Sequence, residues 1–333
     1  MSKHPKLLIL IGLIISGVSL WLAFRNTNLS EIGNHLSRVQ YWMALPMLLT
    51  YSLFYWLKLI RWQLILRPTK QASMKQLFSP MMLGFFGNNV LPAHLGEFVR
   101  MYFGAKVLKL TNSQVLATLV LERIFDILSI VAILIIIILF GVDLSAELTS
   151  AAYIAAIGGT LFILAVVVSV VWTGLCLRIM EMALFFMPDR GRKTILEQIK
   201  LGLDSFHAIK SLPLLLGIIA TSVSQWLFMG ATIYIALQSV HISTDLAASF
   251  VVLVFTVFAV IVPAAPGFFG TIQLAFVISL GPFGINESDA VAASISFHLV
   301  TYFSVTLLGF YLLHRMGYKM KSLASETIAS QGK

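Results

Sequence analysis

Three short stretches of this sequence gather polar groups inside apolar surroundings. The first runs Asn88-Asn89-Val90-Leu91-Pro92-Ala93-His94-Leu95-Gly96-Glu97-Phe98-Val99-Arg100. A charge at membrane depth costs ~2.5–3.5 kcal/mol on insertion scales, so these groups need partners or water. Glu97 and Arg100 are three residues apart and can pair on one helical face. The two amides and Arg100 could grip a phosphate head group; the bland alternative is an interfacial turn from which Arg100 merely reaches water. The second stretch, Glu122-Arg123-Ile124-Phe125-Asp126, sets two acids on one face, with Arg123 in reach of Asp126. It is either a salt bridge fixing helix tilt or part of a polar groove that joins two acids and two arginines from separate segments. The third runs from Val262 through Pro263, Pro266, Gly267 and Gly270 to Gln273. It offers exposed backbone and the hydrogen-bonding side chains of Thr271 and Gln273 but no charge, and a proline kink is its plain alternative.

Catalytic signatures are missing. The chain has no Gly-x-Ser-x-Gly elbow, no phosphate-cradling loop and no His-Glu-x-x-His, so it is not expected to be an enzyme. The seven histidines are scattered without metal-ligand spacing, so neither metal nor cofactor is expected. His298, in the middle of an apolar run, fits a satisfied core histidine better than a proton relay. Lys58 and Arg61, near the end of another run, are expected to snorkel and anchor. The single cysteine, Cys176, permits no internal disulfide.

The elements that must position these groups follow from composition. Hydrophobic residues make up 59% of the 333 residues and charged residues 11%, against roughly 45–50% and about 25% in soluble domains. That excess excludes disorder, a disulfide scaffold and a cytosolic enzyme, and makes the chain an all-α, polytopic membrane protein. A span needs about 20 apolar residues. Six full spans are expected at Leu7–Phe24, Tyr41–Leu57, Val115–Phe140, Ala151–Thr173, Leu212–Leu237 and Ala290–Leu313. Leu77–Leu95 and Leu246–Gly284 are broken by proline and glycine. Such segments survive at membrane depth only when buried in protein or lining a wet cavity, so both are expected as re-entrant or broken hairpins.

The formal charge of +9 is spread through short gaps between apolar runs, which argues against nucleic-acid binding. With the N-terminus inside, all but Arg25, Arg38 and Arg123 of the 23 Lys and Arg fall on the inner side or its edge, as the positive-inside rule requires. Both termini are therefore expected to be cytoplasmic, in a plasma (cytoplasmic or inner) membrane. The order span, span, broken segment, span occurs twice, first from inside (1–141) and then from outside (150–315). Within one membrane domain of residues 1–333, that order suggests an inverted repeat with its broken helices meeting near the midplane. Residues 175–211 separate the halves. Ile195, Ile199, Leu203 and Phe206 have helical spacing there, which fits an amphipathic helix on the inner leaflet or a packed linker helix.

The three polar stretches, in this order, resemble the membrane domain of the lysylphosphatidylglycerol synthase family, a flippase-like domain also fused to some glycosyltransferases. The resemblance rests on Leu91-Pro92-x-x-x-Gly96-Glu97-x-x-Arg100, Glu122-Arg123-x-x-Asp126 and Pro263-x-x-Pro266-Gly267-x-x-Gly270. It departs at Gln273, near where relatives often carry an acid. The resemblance implies a protein that moves a phospholipid or polyprenyl-linked lipid between leaflets. The aminoacylating domain of fused members has no room before Lys333, so aminoacylation is not expected of this chain. On this reading Arg100 and Arg123 attract the head group, Glu97 and Asp126 keep them paired when the groove is empty, and Asn88, Asn89, Glu122 and Gln273 complete the groove. Pro92, Gly96, Pro263, Pro266, Gly267 and Gly270 shape the backbone. Two alternatives stand beside it: a membrane enzyme on a lipid-linked sugar with Glu97 and Asp126 as acid and base, and a non-catalytic partner of a glycosyltransferase or lipid synthase.

Overall fold

The computed structural model describes residues 5–91, 95–140, 146–185, 187–189, 191–193, 195–197, 200, 211–262 and 264–318. Among them the chain is all helix, with no strand. Pro92, His94, Pro263 and, of the apolar face expected in the insert, Ile199, Leu203 and Phe206 lie outside the described residues.

Helices α1 (Pro5–Phe24) and α2 (Leu29–Ser37) meet at an 84° bend. A 3-10 turn at Tyr41–Met43 leads into α3 (Ala44–Leu66), which runs nine residues beyond the expected end at Leu57. Next come α4 (Met74–Val90), α5 (Gly96–Leu108), the 28-residue α6 (Asn112–Leu139), α7 (Ala146–Val171) and α8 (Thr173–Ala183). The later part holds α9 (Leu212–Ser239), α10 (Leu246–Ile261), a 3-10 turn at Pro266–Phe268, α11 (Thr271–Leu280) and α12 (Glu287–Arg315).

Four segments among the described residues are long and apolar enough to cross a membrane: Tyr41–Leu66, Leu212–Ser239, Pro266–Phe283 and Glu287–Arg315. The bent pair α1–α2 makes a fifth if counted as one span. Three of the six expected full spans are among these four; α6 carries Glu122, Arg123 and Asp126 in mid-helix, α7 qualifies only as the shorter stretch Ala152–Phe162, α1 counts only together with α2, and Pro266–Phe283, expected as part of a broken hairpin, is long and apolar enough by itself. Leu10, Leu13, Ile14, Trp21, Leu49, Trp56, Leu216, Phe303, Leu307 and Phe310 lie exposed on the outside. An apolar surface of that kind calls for a lipid solvent.

Inside, α3 and α9 pack side by side and antiparallel. Thr50 bonds Thr232 at 2.8 Å near one end, and Arg61 bonds Ser222 at 3.2 Å nearer the other. The first broken segment folds α4 back against α5, with Gly84 beside Arg100 and Gly87 beside Gly96. The Gly96 N–H donates to Asn88 Oδ1 at 2.9 Å, which closes the hairpin and caps the start of α5. Gly96 is obligatory because a Cβ there would collide with the Gly84 carbonyl oxygen and the Asn88 side chain.

In the second broken segment, α10 packs against α11 across residues 262–270. Gly270 takes φ +90, a conformation other residues rarely adopt. Ser16 of α1 accepts the Ala265 N–H at 2.9 Å, while Gly270 N–H donates to Gln273 Oε1 at 2.7 Å.

Replacing Gly96 with Ala should cost about 1–3 kcal/mol through overpacking, read as a lowered thermal midpoint of the detergent-solubilised protein. An unchanged midpoint would show that α4 and α5 do not approach this closely.

Candidate functional site: a buried ion network beside an aromatic cavity

Four basic and three acidic side chains from α3, α5 and α6 form one connected network. Its deepest pair is Arg100–Glu122. Arg100 Nη1 and Nη2 donate to Glu122 Oε2 and Oε1 at 2.7 and 2.8 Å, the bidentate geometry that makes arginine pairs strong. The guanidinium also lies 4.0 Å over the Trp62 ring, and Trp62 Nε1 donates to Thr118 Oγ1 at 3.0 Å. Both charged groups are buried. Helical spacing on α3 carries this face from Tyr51 through Phe54, Lys58 and Arg61 to Trp62 and Ile65, all buried.

Asp126 forms the second node. It accepts from Arg61 Nη1 at 2.8 Å, Gln225 Nε2 at 2.6 Å and Lys58 Nζ at 3.4 Å, and Arg123 Nη1 stands 3.5 Å away. Arg61 Nη2 also faces Glu122 Oε2 at 4.0 Å, which joins the two nodes. The third node is exposed: Arg123 Nη2 donates to Glu97 Oε1 at 2.8 Å, with 47% and 30% of the two side chains open. The network therefore holds one positive charge in excess, and its open end is Arg123.

Glu97 and Arg123 also line a cavity of about 510 Å³. Its walls are mostly aromatic and aliphatic, with Tyr51, Phe54, Tyr55, Phe85, Trp226 and Tyr302 prominent. Two buried polar atoms of lining residues, Trp226 Nε1 and Thr256 Oγ1, have no hydrogen-bond partner among the described residues. Burying such an atom unpaired costs ~1–3 kcal/mol.

Several expected pairings are rearranged. Glu97 and Arg100 do not pair with each other, because each reaches across to α6 and finds an opposite charge there. Arg100 is held by Glu122, not by Glu97 or Asp126, and neither Arg100, Glu122, Asp126 nor Gln273 lines the cavity. Asn88 and Asn89 do line it, but their amides are engaged. Asn88 closes the α4–α5 hairpin, and Asn89 Nδ2 donates to Thr306 Oγ1 at 3.0 Å and to the Tyr302 carbonyl at 3.3 Å. Gln273 holds the second break. Its Nε2 donates to His298 Nδ1 at 3.1 Å, while His298 Nε2 donates to the Gly267 carbonyl at 2.8 Å. One ring nitrogen accepts and the other donates, which fixes a neutral imidazole as a structural tie.

Lys58 and Arg61 do not snorkel: they are 2% and 0% exposed, turned inward onto Asp126. Together with Trp62, Gln225 and Trp226 they are the residues the sequence reading missed. The available signal was their register with Tyr51 and Phe54 on one face of α3.

Cutting the buried pair with Glu122→Leu strands Arg100 and should destabilise the protein by ~3–5 kcal/mol. Cutting the exposed one with Glu97→Gln should cost no more than ~1 kcal/mol. Thermal unfolding in detergent separates the two; equal losses would contradict the burial difference.

The sequence was also compared with known proteins. It is 25% identical over 243 residues to the UPF0104 membrane protein MJ1078 of Methanocaldococcus jannaschii, an alignment covering 69% of this chain and 95% of that protein. The family model described as the lysylphosphatidylglycerol synthase TM region matches residues 9–309. That match takes in both broken segments, the ion network and the cavity, and the chain belongs to the lysylphosphatidylglycerol synthase TM region family.

Proposed function

We propose that this protein moves an anionic lipid, a phospholipid or a polyprenyl-phosphate-linked lipid, between the leaflets of the cytoplasmic membrane, with both termini cytoplasmic. The observation that carries this reading is a network with one positive charge in excess whose exposed member, Arg123, lines a mostly apolar cavity. A phosphate entering there would take Arg123 from Glu97, while Asp126 keeps the guanidinium in place. Apolar walls would accept the head-group-proximal carbons, and the outer apolar surface would leave the remaining chain in lipid. The cavity draws on both halves of the chain, with Glu97 and Arg123 from the first and Trp226, Thr256 and Tyr302 from the second. Such a site between two halves suits the alternating opening of an inverted repeat. Catalysis by Glu97 and Asp126 is a poorer fit, since Asp126 already has four donor groups around it.

In sealed proteoliposomes holding a tail-labelled anionic phospholipid, the wild-type protein should speed exchange between leaflets. Arg123→Ala should slow it about tenfold or more, the equivalent of ~1.4 kcal/mol of lost head-group binding, with the thermal midpoint nearly unchanged. Equal rates for the two proteins would reject Arg123 as the head-group residue.

A further inference from the structure

The corner between α1 and α2 is bonded to the first turn of α12. Asn26 Nδ2 donates to Glu287 Oε1 at 3.1 Å, and the Asn28 N–H donates to Ser288 Oγ at 3.3 Å. Ser288 Oγ in turn donates to Glu31 Oε2 at 3.1 Å, and His35 Nδ1 pairs with Asp289 Oδ1 at 3.0 Å. Just beyond α2, the Gln40 N–H donates to the Ser239 carbonyl at 2.9 Å. His241 bridges the Arg38 carbonyl and the Gln40 amide at 3.2 and 3.3 Å. A short helix of the first half is thus strapped across the ends of two helices of the second, α9 and α12.

Behind the strap the bundle is solid. On α12 the cavity wall begins at Phe297, ~12 Å along the helix from Asp289 at ~1.5 Å rise per residue. Between them Ala290, Val291, Ala292, Ala293 and Ser294 are fully buried. The three alanines share a packed core with Leu237, Val240 and Leu280. With both termini cytoplasmic, as proposed above, this end of the bundle faces the outer leaflet.

The strap also has a connection to the cavity, and α1 makes it. Gly12 lies against the Ala264 carbonyl and Gly270 against the Ser16 carbonyl, so close that a Cβ on either glycine would collide. Ser16 further accepts the Ala265 N–H. The same break gives Gly267 and Phe268 to the cavity wall. A ligand that displaces this wall bears on α1, and through the bend on the bonds to α12.

We propose that the α1–α2 corner is an outer gate: its bonds to Glu287, Ser288 and Asp289 hold the cavity shut toward the outer leaflet, and α1 links them to the cavity wall. Unlike the buried Arg100–Glu122 pair, these bonds are exposed or half-buried. Such bonds are weak singly and exchange with water, as a contact that must open and re-form requires. The proposal rests on the transport reading and its placement of the termini, and adds the part that moves.

The test uses the full chain with Cys176→Ser. With His35→Cys and Asp289→Cys added, a short bifunctional thiosulfonate joins α2 to α12, and a reductant frees them. In sealed proteoliposomes the joined protein should exchange tail-labelled phosphatidylglycerol between leaflets about tenfold or more slowly, as a blocked gating step would, and reduction should restore the rate. A second measurement leaves the strap intact and needs no transport. Spin labels on Gly33→Cys and Gly281→Cys, where an added Cβ meets nothing, report the separation of α2 from the approach to α12. Double electron–electron resonance should find two distances, with phosphatidylglycerol raising the share of the longer.

Undiminished exchange by the joined protein overturns the gate and leaves the transport reading standing. A single distance that phosphatidylglycerol does not alter overturns the gate as well. Two distances shifted by that lipid, in a protein that exchanges none between leaflets, uphold a gate that answers to the cavity and reject the transport reading.

Discussion

Two carboxylates buried on one face of a helix in an apolar protein dictate much of what surrounds them. Glu122 and Asp126 on α6 are out of water, where an ionised carboxylate is tolerated only beside positive charge and hydrogen-bond donors. Arg100 from α5 answers the first, and Lys58 and Arg61 from α3 answer the second. Each carboxylate thereby fixes where a neighbouring helix must run. The tight α4–α5 hairpin sets Arg100 beside Gly84, and from there it reaches Glu122 on α6. Glycines at 84, 87 and 96 let the two backbones come close enough.

The breaks are handled with the same economy. At each end of a broken helix the backbone loses its internal partners, and in lipid no water replaces them. Asn88 supplies a partner at the first break, where Asn89 ties α4 to α12, and Ser16, Gln273 and His298 supply them at the second. Polar residues that look like ligand-binding groups in a hydrophobic sequence are here largely occupied in holding irregular backbone. What remains open to a ligand is a smaller set: Arg123 with Glu97 at an exposed edge.

Much of the helical architecture was legible because hydropathy and helix breakers are local signals. The helices bracketing both interruptions lie near their expected places, with α4 ending at Val90 and α10 ending at Ile261. The three polar stretches were legible as unusual for the same reason. Who pairs with whom was not. Glu97 and Arg100 sit at helical pairing distance in sequence, yet each has an opposite charge closer in space from another helix, and sequence spacing carries no information about α6. Lys58 and Arg61 were misplaced for a related reason. Ending a span at its first charge assumes that charge belongs to the water interface, whereas α3 continues to Leu66 and turns both groups inward.

Ser16 and Ala265 stand 249 residues apart in sequence, and the hydrogen bond between them ties α1 to the second interruption. During biosynthesis the first helix enters the bilayer long before the peptide it will support exists, so its serine must wait with only its own helix for company. The N-terminal segment is thus more than a membrane anchor: it is a keystone set early and loaded late. A chain cut between the two halves and expressed as separate pieces would need that helix and the later interruption to find one another in the bilayer before residues 264–270 could hold their shape.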